Sequence, residues 1–331
     1  MSRVLITGGA GFIGLHLARR LVDDGAQVDL LDDFSRGVRD DDLAALARSG
    51  ALRILQRDLR ADGALDDLGA DYGLVFHLAA IVGVGHVLRQ PLAVLADSVA
   101  MLRGVIAAAQ RQRALERLVF MSTSEVYAGT LDRGELPFPT PESVPLAITR
   151  LAEPRTPYML SKIYGEAMCR HAGVPVSILR PHNVYGPRMG LSHVIPELLQ
   201  RAHAAADGGE LTVASVDHRR TFCYVGDAVE QMLRIAASPA CAGEVLNVGV
   251  SGPEVPIGQL AGLVAETVGK RLEIVPLPTT PGSPPRRCPD MTRTHELVGR
   301  PPEVDLTPGM WLTYDWYRRH VFDAEAARTA V

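Results

Sequence analysis

The first twenty-one residues constrain the fold more than any later stretch. Val4 to Thr7 is an apolar strand candidate. Glycines follow at once in Thr7-Gly8-Gly9-Ala10-Gly11-Phe12-Ile13-Gly14, and Leu15 to Leu21 then places apolar residues at helical spacing. A strand that runs through glycines straight into a helix needs a tight turn at Gly8, close backbone approach at Gly11 and close helix–strand packing at Gly14. The start of that helix offers unpaired N–H groups and the positive dipole end to anionic phosphate. A plain tight turn is the competing reading of the glycines alone. It weakens once Gln27-Val28-Asp29-Leu30-Leu31 is read as a second strand closed by Asp32, eighteen residues past Gly14. A carboxylate there can accept both adenosine ribose hydroxyls and repels a 2′-phosphate, so the pattern asks for NAD rather than NADP. Asp33 either shares this work or is a solvated turn residue.

Further strands are expected at Arg53–Leu55, Leu74–His77, Leu118–Met121 and Val174–Leu179, with helices over about 91–109 and 157–172. This alternation predicts an α/β fold, a parallel sheet flanked by helices on both faces. Residues 129–156 interrupt it with Pro137, Pro139, Pro141, Pro145 and Pro154 and read as a long ordered loop. After residue 181 the pattern turns into short mixed strands and helices, with a helix near 194–206, a Pro/Gly-rich loop at 276–289 and a closing helix at 311–317. The expected division is a cofactor-binding domain at 1–180 and a smaller mixed substrate-binding region at 181–331, one segment of which returns to the sheet.

The chain has 331 residues, 47% of them hydrophobic and 22% charged, enough for a substantial core. A net charge of −4 with no basic stripe argues against a nucleic-acid partner. The N-terminus lacks a signal-peptide pattern, and no apolar run is read as long enough to cross a membrane, so a cytoplasmic protein is expected. Cys169, Cys223, Cys241 and Cys288 form no metal-ligand spacing and are expected as free thiols, with no metal bound.

Four motifs point further: His77-Leu78-Ala79-Ala80 after the fourth strand, Ser122-Thr123-Ser124-Glu125-Val126-Tyr127 after the fifth, Tyr158-Met159-Leu160-Ser161-Lys162, and Arg180-Pro181-His182-Asn183-Val184-Tyr185-Gly186-Pro187-Arg188. With the glycine turn they resemble the nucleotide-sugar branch of the extended short-chain dehydrogenase/reductase family, over nearly the whole chain. The resemblance implies a Rossmann-type domain and places Gly8, Gly11, Phe12, Ile13, Gly14, Asp32, Asp33, Asp58, Leu59, Leu78, Ala79, Ala80, Tyr158 and Lys162 at NAD, Asp58 near the adenine and Ala79, Ala80 and Lys162 on the nicotinamide side. It also implies a homodimer, whose face the helices at 91–109 and 157–172 either supply or, as ordinary sheet-covering helices, do not.

Tyr158 and Lys162 stand four residues apart, on one face of a helix. A free tyrosine titrates near about 10, too high for a base at neutral pH; a neighbouring ammonium and the positive nicotinamide would favour the phenolate. Tyr158 would then take the proton of a sugar hydroxyl while hydride leaves the same carbon, with the Thr123 hydroxyl steadying that oxygen. Ser124 reaches other ring positions. Glu125 is either an acid/base group or a cap or salt-bridge partner. Asn183, Arg220 and Arg287 resemble family residues at the diphosphate and sugar, arginine's planar fork suiting both phosphate and carboxylate; His86 and His193 are assigned to the substrate side as well.

The resemblance leaves three outcomes after a shared oxidation at C4. Loss of water from C5 and C6 is set third, and UDP is placed ahead of other bases. Decarboxylation of UDP-glucuronate is favoured by Thr123-Ser124-Glu125 with Arg287, but decarboxylases usually carry a tyrosine where this chain has Val87. The Val84-Gly85 pair is closer to 4-epimerases, which puts 4-epimerisation of a nucleotide sugar narrowly first. A non-catalytic protein that keeps NAD as a structural element is the alternative of a different class; the intact Thr123, Tyr158 and Lys162 speak against it.

Overall fold

The computed structural model describes residues 3–81, 90–153, 155–280, 282–301 and 303–323. In chain order its elements are β1 Arg3–Thr7, α1 Phe12–Asp23, β2 Val28–Asp32, α2 Asp41–Ala47, β3 Leu52–Gln56, β4 Tyr72–His77, α3 Pro91–Gln110, β5 Arg117–Met121, α4 Ala128–Asp132, α5 Thr156–Arg170 and β6 Val176–Pro181. The chain continues with β7 Val184–Tyr185, α6 Val194–Ala204, β8 Glu210–Ala214, β9 Arg219–Arg220, β10 Cys223–Tyr224, α7 Val225–Ala237, β11 Val245–Val248, β12 Val255–Pro256, α8 Ile257–Val268, β13 Glu273–Leu277, β14 Arg286–Arg287, α9 Thr292–Val298 and α10 Leu306–Tyr317.

Seven parallel strands form the main sheet in the order β11-β6-β5-β4-β1-β2-β3. Successive side chains point to opposite faces, and both faces are buried, which is why the strands read as continuous apolar runs. Val4, Ile6, Val28, Leu30, Val119 and Met121 pack one way, against Leu17 and Leu21 of α1 and Val229, Met232 and Ile235 of α7. Leu5, Leu31, Val75, Leu118 and Phe120 pack the other way, against Met101, Leu102 and Val105 of α3 and Cys169 of α5. Strand order reverses between β1 and β4, and a sheet of this topology opens its binding crevice at the carboxyl ends there.

Helix α2 is absent from the sequence reading. Its start is an Asp40 cap whose carboxylate accepts the Leu43 N–H at 3.0 Å. Helix α10 begins five residues before the expected Trp311. One reading needs correction: α3, 20 residues long, is long and apolar enough to cross a membrane. Its inner face, with Val94, Met101, Leu102 and Val105 buried, packs on the sheet.

The remaining elements build a smaller lobe. Leu198 and Leu199 of α6, Leu260 and Val264 of α8 and Met310 and Tyr314 of α10 enclose its core with Leu211 and Val213 of β8. β8 pairs with β13, and β9 lies between β12 and β14. β11 leaves this part of the sequence to pair with β6 at the edge of the main sheet.

Candidate active site

A continuous cleft of about 1640 Å³ runs between the carboxyl ends of the strands and the smaller lobe. The glycine turn forms one wall. Gly8 sits at φ +70°, and a Cβ there would lie 2.6 Å from the Ala79 backbone nitrogen; one at Gly14 would lie 2.4 Å from the Gly8 carbonyl oxygen. Only hydrogens fit, so the backbone surface stays bare. Gly11 caps α1 with no side chain in front of the helix N-terminus, which leaves its N–H groups facing the cleft wall. These features fit a dinucleotide pyrophosphate.

Asp32 ends β2 almost fully buried. Its carboxylate accepts the Ala10 N–H at 3.0 Å and the Phe34 N–H at 2.9 Å. Burial pushes its pKa up against those two bonds. Asp33 accepts the Ser35 N–H and hydroxyl and faces Arg60 at 3.7 Å. Phe12, Ile13, Leu59, Leu78, Ala79 and Ala80 line the same region. Asp58 is not among the residues that line the cleft; the Arg60 guanidinium grips its carboxylate at 2.8 Å.

The turn is clasped by another residue of the cleft lining, one to which the sequence reading gave no role. Arg188 is buried, donates to the carbonyls of Ala10 at 2.8 Å, Gly11 at 3.2 Å and Val38 at 2.7 Å, and pairs with Asp40 at 2.5 Å. Nothing in local spacing marks such a long-range role, although the residue closes the motif that begins at Arg180.

Thr123, Ser124 and Glu125 follow β5, with Thr123 capping a single helical turn by accepting the Glu125 N–H at 3.2 Å. Tyr158 and Lys162 arrive on α5. A buried brace fixes how α5 meets the sheet: Arg180 of β6 donates to Glu166 of α5 at 2.9 and 2.7 Å, and Ser122 donates to the same carboxylate at 2.6 Å. Burial lowers the Lys162 ammonium to about 8, and the group donates to the Met121 carbonyl at 2.8 Å. Burial likewise pushes the Tyr158 phenol up to about 12, opposed by the neighbouring Thr123 hydroxyl and by Arg155 and Arg287, while Glu125 adds to the rise. The groups that draw this phenol down are thus two arginines and a threonine. The expected ammonium stands 6.0 Å from the centre of the Tyr158 ring.

Glu125 resolves into an ion-pair cluster. Arg287 contacts its Oε1 closely and Arg155 donates to the same oxygen at 3.0 Å. Burial works to raise its pKa, yet Arg287, Arg155 and Arg220 together hold it below the usual carboxylate range. Arg220 and Arg287 are register partners on β9 and β14. Burial and the Arg287 charge lower Arg220 to about 10, and its guanidinium donates to the Arg219 and Pro284 carbonyls. Arg155 was missed in the sequence, where its only signal is its place three residues before Tyr158.

Asn183 lines the cleft in a left-handed conformation, φ 43°, and donates to the Thr221 carbonyl at 2.9 Å. His193 lines it too, its pKa lowered by burial and by Arg36. His86 lies outside the described residues. All four cysteines are free and buried.

A doubly wound parallel sheet with this turn, an acid ending β2, and a tyrosine and lysine one helical turn apart beside a threonine defines an oxidoreductase-type dinucleotide site. The model of the NAD dependent epimerase/dehydratase family matches residues 4–249, and the chain belongs to that family. It is an NAD-dependent enzyme of the nucleotide-sugar-modifying group. Three relatives illustrate its range. The chain is 31% identical over 332 residues to a UDP-N-acetyl-alpha-D-glucosaminuronate decarboxylase of Bacillus cytotoxicus, covering 96% of this chain and 98% of that one. It is similar to the structure of the NAD-dependent NDP-hexosamine 5,6-dehydratase TunA of tunicamycin biosynthesis, at 30% identity and a TM-score of 0.80, over 98% and 100% of the two chains. It is similar as well to a Thermus thermophilus UDP-glucose 4-epimerase in complex with NAD, at 27% identity and a TM-score of 0.79, over 96% and 100%.

Proposed function

We propose that the protein decarboxylates a UDP-linked uronic acid through a 4-keto intermediate. The observation that carries this reading is the arginine surround of Glu125: Arg287, Arg155 and Arg220 all act on one carboxylate beside Tyr158 and Thr123. Three cations against one anion suit a sugar that brings a second carboxylate. Simple 4-epimerisation requires only Thr123, Tyr158 and Lys162 and gives no chemical reason for such a cluster. Dehydration requires a carboxylate basic enough to take the C5 proton, and the guanidinium contacts depress the basicity of Glu125. The uronate decarboxylase relative is similar over 96% of this chain and supports the same reading.

Gly8, Gly11, Phe12, Ile13, Gly14, Asp32, Asp33, Leu59, Leu78, Ala79 and Ala80 would hold NAD, which when bound accepts hydride from C4 and later returns it. Burial keeps Tyr158 a phenol, and the positive nicotinamide would draw it toward the phenolate that takes the O4 proton, while Thr123 would hold that oxygen and Lys162 would steady the nicotinamide ribose. The C4 ketone makes the sugar a β-keto acid. The C5–C6 bond then breaks, its electron pair passes to O4, CO₂ leaves and a proton takes its place at C5. Glu125 stays ionised and orients Arg155 and Arg287 toward the sugar carboxylate. Asn183 and Arg220 face the diphosphate and His193 the substrate side.

Epimerisation at C4 is the second reading, favoured by the epimerase structure and by the Val84-Gly85 pair, while Val87 stands where decarboxylases usually carry a tyrosine; all three residues lie outside the described ones. A proton-NMR time course with UDP-glucuronate and UDP-glucose separates the two. Loss of the carboxylate with one CO₂ per UDP-pentose is expected. A C4-inverted UDP-sugar with no CO₂ would overturn decarboxylation in favour of the second reading.

A further inference from the structure

Arg60 follows Leu59 in the loop after β3 and lines the cleft. Asp58 fixes its side chain. That carboxylate accepts the Arg60 backbone N–H at 2.9 Å and then Nε and Nη2, each at 2.8 Å. The two-point grip sets the plane of the guanidinium. The same cation faces two further carboxylates, from different elements. Nη2 stands 3.7 Å from Asp33, just past β2, and Nη1 stands 3.9 Å from Asp97 in α3. Both distances exceed a hydrogen bond, so charge attraction alone holds the guanidinium between them. Asp33, Leu59, Ala93, Val94 and Asp97 line the cleft with it. The Arg60 side chain is 46% exposed and that of Asp97 30%, which puts the pair at the solvent boundary of the cleft, where a ligand can reach it. Arg60 therefore joins the wall made by the ends of β2 and β3 to the wall made by α3.

We propose that Arg60 is a binding residue for the adenosine of NAD: it closes over the base, anchored on Asp58 and drawn to Asp33 and Asp97, and with Asp97 it slows escape of the cofactor. The glycine turn and Asp32 bring pyrophosphate and ribose to the ends of β1 and β2. The base then extends toward Leu59, between the end of β3 and α3, and the Arg60–Asp97 pair crosses its way out. A planar cation along the π face of a purine adds attraction that a bare surface ion pair lacks. The base also excludes water from the pair, and ion pairs strengthen as solvent leaves. Retention suits an enzyme that returns hydride to its substrate within each cycle and has no need to exchange its cofactor. The inference requires NAD in the cleft and is independent of which sugar is bound and which product forms.

The test follows release of NAD from the loaded enzyme, by exchange of bound radiolabelled NAD against excess unlabelled NAD. The parent is compared with Arg60→Gln, Asp97→Asn and the double variant. Arg60→Gln should release NAD about 10-fold faster and Asp97→Asn about 3-fold faster. The double variant should release it no faster than Arg60→Gln, since one partner without the other forms no clasp. Added salt should speed release from the parent and leave Arg60→Gln nearly unchanged. Melting of the NAD-stripped proteins separates a lost clasp from a loosened fold: parent and Arg60→Gln should melt within about 3 °C of each other. A parental release rate in either single variant overturns the inference, as do multiplied effects in the double variant. Faster release from an Arg60→Gln protein that melts far lower without NAD overturns it too, and leaves Arg60 a residue of the loop after β3 alone.

Discussion

Lys162 shows at the residue scale what the chemistry demands of the fold. Its ammonium is buried beside Phe120 and donates to one backbone carbonyl. A lysine held at about 8 binds fewer protons in the folded chain than in the unfolded chain between about pH 8 and 10.5. Stability therefore climbs with pH across that window, and below it the folded state carries the full penalty of a buried cation. Replacing the group with methionine removes the penalty. NAD-stripped Lys162→Met should unfold later than the parent at pH 7, by on the order of 3 kcal/mol, with the gap closing toward pH 10. Urea titrations of both proteins at several pH values measure this. A constant gap would show that burial of charge is not the cause.

At the scale of elements, the glycine turn makes the sharpest demand. A methyl group at Gly14 meets the Gly8 carbonyl oxygen at 2.4 Å and the Gly9 Cα at 2.7 Å, both backbone atoms that cannot swing aside. Gly14→Ala should lose about 1–3 kcal/mol of stability and bind NAD at least about 10-fold more weakly, read by thermal melting and calorimetry. Features like this were legible in the sequence because they are local: the turn, Asp32 at the end of its strand, and Tyr158 with Lys162 are each set by neighbours within a few turns. The clasp of Arg188 and the Arg155 contact to Glu125 were not legible, because each joins segments distant in the chain that only the folded molecule brings together. Helix α2 escaped notice for a related reason. Its seven residues are too few for a periodic signal, and the Asp40 cap that starts it sits in a run of acidic residues.

At the scale of the whole molecule, α3 and α5 lie together on one face of the sheet, with Leu92 78% exposed and Tyr164 55% exposed. The sequence raised a homodimer through these helices, and an outer face with large apolar groups gives that proposal a place to act. Light scattering of Tyr164→Asp should report monomer where the parent reports dimer; a parent that is monomeric at all concentrations rejects the arrangement.

The clasp of Arg188 bears on how the chain is made. During synthesis the first βαβ unit leaves the ribosome long before residue 188 does. Until then the carbonyls of Ala10 and Gly11 lack the guanidinium that ties them to Val38 and Asp40. A nascent chain truncated ahead of Arg188 would hold an unlatched phosphate loop, and the dinucleotide pocket matures only when the polypeptide has doubled back on its own beginning.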